Sequence, residues 1–257
     1  MIWLPPALDW LEQDGQALAR SCALVFMRCG AIMALLPGPG DRHVPLPIRL
    51  GMALALTVLV VPALPPLPWS GPAGLLSEAI NGLILGAGLR LLMNALHTAG
   101  AIAGQSTSLS QIMGGAGPEP MPVFSNLLGM AAVALICAAD LHLRLIEFVL
   151  LSTELLPVGQ LPSVEATASW GVGRVAHAMA LAFSLAAPFL VTATLYNVAL
   201  GAMNRTMPSL MVSFIGVPAI TLGSLALLAI TAPVMLGIWM QAWHQALSAP
   251  LDNMVTR

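Results

Sequence analysis

The sequence predicts an all-α membrane protein of about six long apolar helices, and three observations carry the prediction. Of its 257 residues, 58% are hydrophobic and 8% charged, whereas soluble domains hold about 25% charged residues. The apolar residues gather into stretches of bilayer length or longer at Ala17–Leu36, Leu46–Leu64, Leu75–Ala103, Val123–Ala139, Val175–Leu200 and Leu210–Ala242. Gly82-x-x-x-Gly86 and Gly100-x-x-x-Gly104 are small-residue pairs that let helix backbones approach closely in a membrane.

The chain opens with Asp9, Glu12 and Asp14 and lacks the basic flank and cleavage site of a secretory signal, so the N-terminus is expected to be retained. The first apolar stretch holds Arg28. A lone charge at that depth costs at least ~2.5 kcal/mol, so Arg28 needs a partner, and the same holds for Glu78 at the edge of the third stretch. Spacing leaves open whether they pair with each other or with another subunit. Arg42 and Arg49 follow the first stretch, Arg205 lies in the last loop, and the Pro62–Pro72 loop has no arginine. This distribution favours both termini outside.

The third stretch carries Arg90, Asn94, His97, Gln105 and Ser108 near one helical face, a stripe read first as interhelical hydrogen bonding. The fourth is too short from Leu127 to Ala139 to span about 30 Å of hydrocarbon. Beyond it Asp140, Arg144, Glu147 and Glu154 form a charged seam at helical spacing. The last residues read as two long helices, Val172–Thr206 and Leu210–Ala246, joined by the turn Asn-Arg-Thr-Met-Pro-Ser. Pro208 stops the first arm, and Pro188, Pro218 and Pro233 mark kinks. Each arm exceeds the bilayer at about 1.5 Å per residue.

Enzymatic chemistry finds no pattern here. There is no H-E-x-x-H, G-x-S-x-G or phosphate-binding glycine loop, and Asp140 and His142, two apart, do not face each other on a helix. His43, His142, His177 and His244 have no second ligand at i+3 or i+4, so no metal and no cofactor is expected. All nine basic residues are arginine and the net charge is −2, which gives no basic block for nucleic acid. Cys22, Cys29 and Cys137 lie in apolar runs without C-x-x-C spacing and read as buried thiols.

The run Asn197-Val-Ala-Leu-Gly201-Ala-Met-Asn204-Arg205-Thr-Met-Pro208, followed by Phe214-Ile-Gly216-Val-Pro218, closely resembles the FliR family of flagellar biosynthesis proteins. Arg28, the run from Pro45, Glu78, Ala99-Gly-Ala-Ile-Ala-Gly-Gln105 and Leu156-Pro-Val-Gly159 fall where that family has similar residues, so the resemblance covers roughly Arg20 to Ala242. The Gly216-x-Pro218 pattern favours the flagellar branch over the injectisome homologues called SctT. The resemblance implies a non-enzymatic subunit of a type III protein export gate in the bacterial inner membrane, at the flagellar basal body. It also implies FliP, FliQ and FlhB as partners and unfolded proteins as cargo.

The implied fold is a set of tilted helical hairpins standing largely on the periplasmic side, with a FliP-like part at 1–165 and a FliQ-like hairpin at 166–257. Such an arrangement loosens the link between apolar stretches and true membrane spans. The polar, glycine-rich run 104–122 would then be the plug of a pore, with Ser110, Gln111, Ile112 and Met113 near its tip and Gly114, Gly115 and Gly117 as hinges. Arg28, Glu78, Arg90, Asn197, Gly201, Asn204, Arg205, Pro208, Gly216 and Pro218 are the expected structural and assembly residues. Many relatives carry Phe and Asp-Pro in the plug loop, where this chain has polar residues and Glu119-Pro120. A transporter using Arg90, Asp140 and Glu147 as a midplane site is the alternative, although no internal inverted repeat is visible.

Overall fold

The computed structural model describes residues 5–41, 43–65, 67–106, 123–206 and 212–251, and the side-chain environments among them except at 5–14, 204 and 212–219. These residues form seven α-helices: α1 Pro5–Leu35, α2 Leu46–Val60, α3 Gly71–Ser106, α4 Val123–Ala138, α5 Leu141–Leu155, α6 Val164–Thr206 and α7 Val212–Ser248. No strand occurs among the described residues. Five of the helical segments are long and apolar enough to cross a membrane, while α4, at 16 residues, is a shorter apolar helix.

Proline and glycine set the boundaries. Pro47 lies in the first turn of α2, where its fixed φ suits helix entry and its missing N–H costs nothing. Between α2 and α3 the chain passes through a short 3-10 turn, Val61–Ala63, and a proline-rich connection. Gly71 then starts α3 with φ +71°, a left-handed conformation that side chains disfavour. Along α3 the buried residues include Glu78, Asn81, Leu85, Leu89, Leu92, Leu96, Ala99 and Ala103. Steps of three and four place them on one continuous stripe, so this helix is packed against others over most of its length.

The charged seam is divided by a break. Asp140 adopts φ 56° and ψ 45°, which ends α4 and restarts the chain as α5. Asp140 therefore sits at a corner and not on the face of Arg144 and Glu147, because a left-handed residue cannot continue a right-handed helix. On α5 the apolar face of Leu141, Leu145, Phe148 and Val149 is buried, while Arg144 and Glu147 are exposed. The first long arm starts at Val164 and not at Val172. Ser163 supplies the missing start signal, since its Oγ accepts the Ala166 N–H at 3.2 Å. Gly171 and Gly173 lie inside the helix, and each has open space where a Cβ would stand.

The chain forms two compact units. The first comprises residues 1–90, 139–174 and 244–257. In it a Cβ on Gly82 would meet the Arg28 carbonyl and Ala31, and one on Gly86 would meet Ile32 and Leu35. These registers run α1 and α3 parallel at close approach, as the Gly-x-x-x-Gly pair predicts. The second unit comprises 91–138 and 175–243. In it Gly100 lies against the backbone of Phe124 and Ser125, and Gly129 lies against the His97 imidazole, so α3 and α4 run antiparallel. The Phe124 and Phe189 rings meet at 6.0 Å, and the Trp239 indole donates to the Leu92 carbonyl at 2.8 Å while stacking on Trp243.

Candidate functional site

The most polar part of the core is a cluster around Arg28 and Glu78 in the first unit. Arg28 Nε donates to Glu78 Oε2 at 2.6 Å and Nη2 donates to Glu78 Oε1 at 3.1 Å, a forked pair with both side chains 1% exposed. The remaining donors are used as well. Nη1 reaches Ser152 Oγ at 3.1 Å on α5, and Nη2 also reaches the Leu156 carbonyl at 2.9 Å. A guanidinium can serve three groups at once only where helices and a loop converge on it, and α1, α3 and the end of α5 do so.

Glu78 serves the same loop. Its Oε1 accepts the Gly159 N–H at 2.9 Å, and one turn along α3 the Asn81 amide donates to the Gln160 carbonyl at 2.8 Å. Gly159 has φ +82°, and a Cβ there would stand 2.7 Å from Ser70 Oγ, so glycine is needed for both conformation and space. The Leu156-Pro-Val-Gly159 segment is thus held by Arg28, Glu78 and Asn81 immediately before the 43-residue helix α6. This answers the pairing question posed by Arg28 and Glu78: they meet within the chain. The sequence signal for Asn81 was its place three residues after Glu78, on the same face. Ser152 and Ser70 carried no comparable signal.

Arg90 ties a different corner. Its Nη1 meets Asp41 Oδ1 at 2.7 Å with both side chains about one-third exposed, and Asp41 Oδ2 accepts the Gly38 N–H at 3.1 Å. Arg49 Nη2 donates to the carbonyls of Asp41 and Val44 at 2.9 and 3.2 Å. The loop between α1 and α2 is therefore folded around two arginines. Glu147 pairs with Arg144 at 3.8 Å on the exposed face of α5. Arg90 and Glu147 thus have separate partners at accessible positions, an arrangement unlike a midplane transport site. Of the three thiols only Cys29 is buried. Cys22 is intermediate and Cys137 exposed, which corrects the expectation of three buried cysteines, because α4 turns that face outward.

Asn197, Gly201 and Arg205 lie four residues apart on α6 and all are exposed on this chain. The Arg205 side chain makes no hydrogen bond or ion pair to a described residue. Asn204, Gly216 and Pro218 lie in helices whose side-chain surroundings fall outside the described residues, as does Pro208 altogether. The plug-loop positions Ser110, Gln111, Ile112, Met113, Gly114, Gly115 and Gly117 likewise lie outside the described residues.

Residues 19–246 match the family described as bacterial export proteins, family 1. Among curated proteins, the chain is 32% identical over 234 residues to the flagellar biosynthetic protein FliR of Caulobacter vibrioides, covering 88% of this chain and 93% of that protein. It is 28% identical to the FliR of Escherichia coli over 216 residues, 81% and 82% of the two chains. The FliR of Bacillus subtilis is 26% identical over 210 residues, 76% and 79% of the two chains. With a family match over most of its length and relatives aligned over three quarters or more of both chains, the chain belongs to the bacterial export proteins, family 1.

Proposed function

We propose that this chain is a non-enzymatic subunit of the flagellar type III export gate, forming with FliP and FliQ, and in contact with FlhB, the pore through which unfolded flagellar proteins leave the cell. The observation that carries the reading is the alignment with flagellar FliR proteins over most of both chains. Two features of the chain support an assembled and not a solitary protein. Helix α6 has 43 residues and α7 has 37, so at 1.5 Å per residue they run to roughly 65 and 55 Å against about 30 Å of hydrocarbon. Their outer faces carry large apolar groups such as Val172, Leu195, Leu222 and Ile230, at 67–74% exposure, which lipid alone cannot cover over that length.

The stripe of Asn197, Gly201 and Arg205 fits the same reading, since residues that mark the family yet face outward serve neighbours better than their own fold. We read a FliP-like part at 1–165 and a FliQ-like hairpin at 166–257, a division supported by the start of α6 at Val164. The protein sits in the inner membrane at the basal body. Within this reading the run 104–122 closes the pore, on the strength of its glycines and its Ile112-Met113 tip. Deleting Ser110–Gly117 is then expected to leave an assembled complex that leaks small ions, and a tight membrane with normal secretion would remove that role.

The test of the function itself is genetic and biochemical together. Deleting the gene in its flagellated host should abolish secretion of hook and filament proteins, and the chain supplied in trans should restore it. It should also co-purify with FliP and FliQ from membranes. Undiminished secretion in the deletion strain would overturn the proposal.

A further inference from the structure

Helix α7 does not end on a glycine turn. It stops at Ser248 and is followed by Ala249, Pro250 and Leu251, so there is no glycine to adopt the left-handed turn that satisfies the last carbonyls of a helix, and proline prevents continuation. In the last turn the Gln245 carbonyl accepts the Ala249 N–H at 2.9 Å and the Ser248 hydroxyl at 3.2 Å, whereas the carbonyls of Ala249 and Pro250, just past the helix, are met by side chains from another helix. The donors come from the beginning of the other long helix. Arg174 Nη2 donates to the carbonyls of Ala249 and Pro250 at 3.0 and 2.9 Å, and Trp170 Nε1 donates to the Pro250 carbonyl at 3.2 Å. All of these residues belong to the first unit.

The arrangement is built on a buried indole, with Arg174 half-buried beside it. Trp170 and Arg174 are four residues apart, on one face of α6, and the guanidinium carbon lies 5.5 Å from the Trp170 ring centroid, within cation–π range. Trp170 is 6% exposed and Leu251 2%. The edge of the indole is seated against Gly88 of α3, where a Cβ would lie 3.1 Å from the ring. Gly88 thus leaves the place that the indole fills. Nothing in the family-marking runs includes Trp170, Arg174, Gly88 or Pro250.

We propose that Trp170 and Arg174 form a cross-helix cap on the segment that leaves α7, which fixes the register of α6 against α7 at the base of the pair, and that they are positioning residues for the export gate. The export part of the proposal rests on the function proposed above. The reason is geometric: one residue of slip turns a helix by about 100°, which would carry both donors off the Ala249 and Pro250 carbonyls and the indole off Gly88. The register is therefore read where the two helices are joined by side chains, far along the chain from the loop that connects them.

The test uses the complex with FliP and FliQ, purified with the wild-type chain and with Arg174→Met, Arg174→Lys and Trp170→Phe. Methionine keeps the apolar stem over the indole and removes the donors, lysine keeps charge and donors, and phenylalanine keeps a ring without its N–H. Hydrogen exchange of the peptide covering residues 243–251 should rise about tenfold in Arg174→Met and stay within about threefold of wild type in Arg174→Lys. Exchange in α5 should be unchanged. Secretion should fall in Arg174→Met at normal complex yield and be retained in Arg174→Lys, a rescue that loss of packing alone would not produce. Wild-type exchange at 243–251 in Arg174→Met overturns the cap, and raised exchange with undiminished secretion overturns the positioning role. Should Arg174→Met fail to assemble, Trp170→Phe carries the same measurement, with raised exchange supporting the cap and unchanged exchange overturning it. If the wild-type chain itself supports no secretion, the functional proposal fails while the exchange measurement still decides the cap.

Discussion

Replacing Glu78 by glutamine should be among the most damaging single-atom changes in the molecule. The carboxylate accepts three hydrogen bonds, from Arg28 Nε at 2.6 Å, Arg28 Nη2 at 3.1 Å and the Gly159 N–H at 2.9 Å. Glutamine keeps the shape but turns an NH₂ toward a guanidinium that is itself all donor, and it leaves a cation at 1% exposure without a counter-charge. Breaking a buried pair from one side costs about 3–5 kcal/mol. The double variant Arg28→Met/Glu78→Leu removes both charges, so its cost falls on the Gly159 N–H and the Leu156 carbonyl, about 1–3 kcal/mol for each group left unsatisfied. Ser152 keeps a bond of its own, since its Oγ donates to the Val149 carbonyl at 2.7 Å. The double variant, at about 2–6 kcal/mol in all, should therefore cost much less than the two single charge removals added together, with a coupling of about 3 kcal/mol between the two sites. Unfolding free energies of the wild type, Arg28→Met, Glu78→Leu and the double variant, measured in mixed detergent micelles, give this coupling directly. A cost below about 1 kcal/mol for Glu78→Gln, with additive behaviour in the double variant, would show that the pair is solvated and refute the reasoning.

Gly159→Ala should cost about 2–4 kcal/mol through left-handed strain and collision with Ser70, whereas Gly71→Ala, at φ +71° but in open space, should cost about 1 kcal/mol; thermal midpoints of the two complexes would rank them. Gly82→Ala should lower complex yield, because the new methyl meets the Arg28 carbonyl and Ala31, at about 1–3 kcal/mol. Gly30→Ala meets nothing among the described residues and gains helix propensity, so it should be neutral or stabilising by up to ~1 kcal/mol by the same assay. Glu147→Ala should change stability by less than about 0.5 kcal/mol, since its pair with Arg144 is 3.8 Å long and largely exposed; a larger loss in the assembled complex than in the free chain would show a neighbour at that face.

The sequence by itself determined the class of this protein. Its scarcity of charge, its long apolar runs and its small-residue pairs leave helices packed through glycine as the solution available to a backbone that must satisfy itself away from water. The Gly82 and Gly100 contacts follow directly from that. It also established that Arg28 and Glu78 needed partners, because the cost of an unpaired charge does not depend on the fold. Which partners they found was a matter of tertiary structure: they lie 50 residues apart, and Ser152 and Leu156 a further 74 and 78 beyond Glu78. No local periodicity records such distances. The break at Asp140 was hidden for the opposite reason. A run of helical spacing continues through it, and only the packing of α5 makes the left-handed corner worth its strain. The cap on α7 was equally hidden, since its missing glycine is visible in the sequence but its donors stand some 75 residues upstream, on another helix. Periodicity specifies which face a helix buries, whereas the identity of what meets that face is decided by long-range packing.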